Sequence, residues 1–110
     1  MRVAVVVVVV VVAVVGGCAS LAQPGPSDAE WAAQKWPGTT RADLAHGRKL
    51  YVGHCAGCHA LRQPERYAPD SWAQHIDEMG EKAALKKGEQ ELVLRFLLTM
   101  GRIKHTPSST

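Results

Sequence analysis

The run Cys55-Ala56-Gly57-Cys58-His59 constrains this chain more than any other stretch, because it puts two thiols and an imidazole on one tight turn. The chain of 110 residues has three cysteines, and the remaining one, Cys18, lies far upstream. A closed zinc site needs four ligands and usually a second cysteine pair, which is missing. A thioredoxin-type dithiol sits in a βαβ setting, and no strand pattern surrounds this run. Zinc and a free redox dithiol are therefore the poorer fits.

The spacing suits covalent attachment of a c-type haem. Two cysteines separated by two residues reach the two vinyl groups of one porphyrin, and the adjoining imidazole comes under the iron as its proximal ligand. Cys55 and Cys58 are the expected attachment residues and His59 the expected proximal ligand. One such run implies one haem c per chain.

Met1-Arg2 leads into an unbroken apolar stretch from Val3 to Val15, followed by Gly16-Gly17-Cys18. A helix over that stretch would cover about 20 Å, short of the roughly 30 Å hydrocarbon core, so it suits a removed export signal better than a membrane span. Val15-Gly16-Gly17-Cys18 resembles the lipobox of bacterial lipoproteins, which implies cleavage before Cys18 and a lipid on that cysteine. Ordinary cleavage nearby and an uncut anchor are the alternatives. Ala19 after the cysteine is similar to the outer-membrane sorting pattern. With one cysteine for lipid and two for haem, no disulfide is expected.

The formal net charge of +3 falls to +2 when Arg2 leaves with the signal, which gives no footprint for nucleic acid. Lys82, Lys86 and Lys87 form a local basic patch, best understood as a solvated helix face. The expected organisation is a signal over 1–17, a lipidated N-terminus and tether over 18–40, a haem domain over 41–104 and a tail over 105–110. Pro24, Gly25, Pro26, Pro37 and Gly38 give the tether its spacer character. Within it, Ser27 and Glu30 predict a capping box for a short helix whose Trp31 and Trp36 are expected to pack against the haem domain, a partner-binding patch being the alternative.

Residues 41–104 are too few for a large apolar core, so a buried prosthetic group would complete it. Thr40 with Asp43 predicts the cap of a first helix bearing Leu44, Gly47, Leu50 and Tyr51. A second helix is expected from about Glu89 to Met100, rich in Leu, Val and Phe and closed by Gly101. Glycine inside a helix costs about 1 kcal/mol relative to alanine, so Gly47 points to close approach of another helix. These features resemble the class I cytochrome c family, in which an N-terminal helix with glycine and an aromatic crosses a C-terminal helix with an aromatic; Gly47, Tyr51 and Phe96 match. The resemblance implies an all-α cytochrome c-like domain of three to four helices around one covalently attached haem.

The same resemblance implies a distal methionine between the haem run and the last helix, and Met79 stands there. His75 and Met100 are the alternatives, and an open site is a further one. A helix over Ser71–Met79, capped by Asp70 or Ser71, puts Trp72, Ile76 and Met79 on one face. Trp72 would cover the porphyrin edge, donate to a propionate or pack in the core. Pro69 falls where many class I cytochromes place a proline whose carbonyl accepts the proximal imidazole hydrogen, with Pro64 the alternative. His46, His54 and His105 are expected at the surface.

Together these features point to a monohaem one-electron carrier and not to an enzyme. Its implied partners are redox proteins (a dehydrogenase, reductase or oxidase) and, through the lipid, the periplasmic side of a bacterial membrane. A small-gas binding or sensing protein with a weak or open distal site is the alternative, and peroxidase-like chemistry a third reading.

Overall fold

The computed structural model describes residues 21–55 and 61–105, with side chains described as far as Arg102. Residues 1–17, expected to be an export signal, lie outside the described residues, as do Cys18, Cys58, His59 and the tail beyond His105. Among the described residues the fold is all-α: α1 (Pro26–Lys35), α2 (Arg41–His54), a 3-10 turn (Pro64–Arg66), α3 (Pro69–Met79) and α4 (Lys87–His105). No helix among them is long and apolar enough to cross a membrane.

The cap of α2 is the expected one. Asp43 N–H donates to Thr40 Oγ1 at 3.1 Å, and Thr40 N–H donates back to Asp43 Oδ2 at 2.9 Å. The cap of α1 differs, since the N-cap lies two residues before the expected Ser27: Gly25 is the N-cap, Pro26 takes the first helical position, and Gly25 N–H donates to Asp28 Oδ2 at 2.7 Å. Pro26 decides this, because its fixed φ and missing N–H suit the first position and leave Ser27 and Glu30 inside the helix. Pro69 likewise opens α3 with Ala68 as N-cap, so neither Asp70 nor Ser71 caps it.

Helix α4 crosses α2 at Gly47. A Cβ on Gly47 would collide with the Leu92 carbonyl oxygen, would lie 2.8 Å from the Leu92 carbonyl carbon and 3.0 Å from Phe96 Cβ. Leu44, Val93, Phe96 and Leu97 are fully buried, and Leu50 and Tyr51 carry the core towards the end of α2. Gly101 does not close α4, which runs on to His105. Its role is another close approach, since a Cβ there would lie 2.6 Å from the Pro64 carbonyl oxygen. The 3-10 turn thus rests directly on α4.

The stretch expected to serve as a tether is packed onto the helices from Leu21 onward, and not only through its short helix. Leu21 is buried in the core cluster, and its carbonyl accepts from Arg48 Nε at 3.1 Å and Arg48 Nη2 at 2.7 Å. Arg41 Nε donates to the Pro24 carbonyl at 2.9 Å, and Arg102 Nη1 meets Asp28 Oδ1 at 2.6 Å with both side chains largely buried. Trp31 and Trp36 stack edge to face at 5.9 Å under the cations of Arg102 and Arg95. Three arginines distant in sequence hold the segment.

If the Gly47 contact sets the α2–α4 crossing, Gly47→Ala lowers stability by about 1–3 kcal/mol, the usual cost of overpacking. Gly53 has nothing within 4 Å of its would-be Cβ, so Gly53→Ala is expected to raise stability by up to about 1 kcal/mol through helix propensity. Chemical denaturation of both variants beside the parent checks the pair.

Candidate functional site

The last turn of α2, the connection after it, α3 and the turn after α3 enclose an open cavity of about 510 Å³. That volume lies within the roughly 300–1,000 Å³ of cofactor and small-molecule sites. Cys55 reaches the cavity because it is the C-cap of α2, where its N–H donates to the Tyr51 carbonyl at 3.0 Å. Burial pushes the Cys55 thiol above its ordinary range, which keeps it protonated and slow to oxidise near neutral pH.

One turn before Cys55, the buried Tyr51 controls where the chain returns. Its hydroxyl donates to the Arg62 carbonyl at 2.6 Å and accepts from Arg62 N–H at 3.0 Å. Both backbone groups of Arg62 are thereby tied to the helix that carries Cys55. Desolvation of the buried phenol raises the Tyr51 pKa from its ordinary 10.0 to about 12, outweighing the opposing effect of the Arg62 backbone hydrogen bond.

An aromatic wall runs from the core into the cavity. Phe96 lies 6.4 Å from Tyr51, Tyr51 6.0 Å from Trp72, Trp72 5.1 Å from Tyr67, and Tyr67 4.6 Å from His75, measured between ring centroids. Trp72 is buried, and its indole N–H donates to the Pro64 carbonyl at 2.7 Å. That bond uses the only hydrogen the indole can donate. Trp72 therefore shapes the wall and has no proton left for an external carboxylate.

Of the expected site residues, Cys55, Trp72 and Met79 line this one cavity, with His75 and Ile76 beside them. Met79 ends α3 and is 50 % exposed, the large apolar side chain that stands out as exposed among the described residues. Pro69 is exposed at the start of α3 and is not on the cavity wall. Pro64 is buried, and its carbonyl serves Trp72. Cys18, Cys58 and His59 lie outside the described residues.

Other lining residues had no periodic signal in the sequence. Tyr67 and Arg62 come from the irregular connection, and Lys82 and Ala83 from the turn after α3. Lys82, Lys86 and Lys87 are exposed as expected of a solvated patch, but Lys82 stands on a turn and not a helix and lines the cavity. His54 is exposed, as expected, and also lines the cavity, its Nδ1 lying 2.9 Å from the Ala83 carbonyl of that turn. Within the turn, Ala84 adopts a left-handed φ of 59°. The chain matches no family model, no curated protein and no solved structure.

Tyr51→Phe tests the tie to Arg62. Removing the hydroxyl leaves the Arg62 groups without their partner, so a loss of about 1–3 kcal/mol is expected at pH 7. The parent should also lose stability as pH rises from 10 towards 12, because the unfolded phenol ionises first while the folded one stays neutral. Tyr51→Phe should flatten that fall, as followed by urea titrations across the alkaline range.

Proposed function

We propose that this chain is a monohaem c-type electron carrier held on a membrane by a lipid at Cys18. The observation that carries the reading is the meeting of Cys55, the first cysteine of the attachment run, and Met79 on the wall of one cavity of cofactor size. A methionine half exposed at the rim of a largely apolar cavity is explained if it closes over a bound group, since burying such a side chain fully is worth roughly 1.5–3 kcal/mol. The four-helix fold has few residues for its own core, which also favours a group that fills the space.

Cys55 and Cys58 would carry the two covalent bonds, and His59 and Met79 would hold the iron. The bound group supplies reversible one-electron chemistry at iron, and a His/Met pair raises the potential relative to two histidines. Everything else belongs to the protein. Tyr51 fixes the exit of the attachment segment through Arg62. Tyr67, Trp72 and Ile76 keep water from one wall, and Arg62 and Lys82 bring positive charge to the mouth, where the carboxylates of a porphyrin would find partners.

His75 is the weaker candidate for the distal position because its ring already packs against Tyr67 at 4.6 Å and against Trp72 at 6.2 Å. Releasing it would dismantle part of the wall. Met79 needs no such release. On this reading the protein changes no substrate, and its redox partners meet it at the periplasmic face of a bacterial membrane.

Matured in a host that attaches c-type haem, the protein should give a six-coordinate, low-spin spectrum in both oxidation states, with the weak far-red sulfur-to-iron band. Met79→Ala should abolish that band, lower the potential and open the reduced form to carbon monoxide. Cys55→Ser should sharply reduce haem that stays with the chain under denaturing conditions. A parent protein that is high-spin or takes up carbon monoxide at once would overturn the carrier reading in favour of gas binding.

A further inference from the structure

The N-terminal segment is fastened to the fold at successive points. Leu21 is 3 % exposed in the core cluster, its carbonyl holds two donors of Arg48, Arg41 holds Pro24, and Asp28 is paired with Arg102. Hydrogen bonds from a charged donor are stronger than neutral ones, so the segment has little reason to lift off. Composition alone describes a spacer that runs to Thr40, with a coil reach of roughly 25 Å. The packing removes nearly all of that slack.

Only Ala19 and Ser20 stand between Cys18 and Leu21. Three residue steps extend by at most about 11 Å. We infer that the segment from Leu21 to Asp28 is a clamp that holds the helical domain against a lipid surface, at a separation of no more than about one helix diameter. The inference rests on lipidation of Cys18 as proposed above. Its consequence concerns the partner: a carrier on so short a leash meets redox proteins whose own centres are presented at the membrane surface, and it does not sweep the aqueous space above it.

Neutron reflectometry of the lipidated, haem-loaded full chain on a supported phospholipid bilayer tests this, after intact mass has shown the lipid on Cys18. The parent should leave a water gap of about 10 Å or less between bilayer and protein. A variant with about 20 Gly/Ser residues inserted between Ser20 and Leu21 keeps the clamp intact and should widen the gap by up to about 25 Å. A parent gap already as wide as that of the insertion variant would overturn the clamp while leaving lipidation standing. A mature chain without lipid would overturn the anchoring itself, and the membrane clamp with it.

Discussion

The closeness of α2 and α4 at Gly47 is the constraint from which the rest of the structure follows. A side chain at that position would run into the Leu92 backbone, so the helices meet at a distance only glycine permits. With the helices that close, Tyr51 comes beside Phe96 and the end of α2 is aimed, carrying Cys55 to the cavity. Dense packing transmits such placements with little slack. A small domain that lacked this contact would have to fix Cys55 by loop geometry alone.

A second point of convergence is the Pro64 carbonyl. It accepts the Trp72 indole hydrogen from α3 and leaves room for nothing larger than glycine at position 101 on α4. One backbone oxygen therefore relates α3, α4 and the connection that leads from α2 into α3. Because Trp72 is part of the cavity wall, the shape of the site depends on a peptide group that does not line it. Phe at position 72 would keep the ring but leave that oxygen unpaired.

What could be read from the sequence was mostly what is local in it. The Thr40–Asp43 box is complete within four residues, and the spacing of Trp72, Ile76 and Met79 sets a helix face that does reach one cavity. Gly101 misled because a glycine that ends a helix and one that admits a neighbouring chain look alike until Pro64 is placed beside it. The first helix misled because Pro26 outranks Ser27 as a start signal. The prolines and glycines of residues 21–28 read as a spacer, whereas the docking of the segment depends on Arg41, Arg48 and Arg102, which no short window includes. Tyr67 and Arg62 escaped notice for the related reason that an irregular connection has no period.

The double hydrogen bond between Tyr51 and Arg62 closes a ring of backbone over a separation of eleven residues. Cys55 falls inside that ring, as does Cys58 by its number. Cross-linking two positions only three apart would restrict an unfolded chain very little, since the stabilisation grows with the length of chain enclosed. The Tyr51–Arg62 bonds exist only in the folded protein, where they hold Arg62 against the end of α2 without restricting the unfolded chain. A ligand entering here meets ends of chain that have already given up their freedom, and its binding energy is left for filling the cavity.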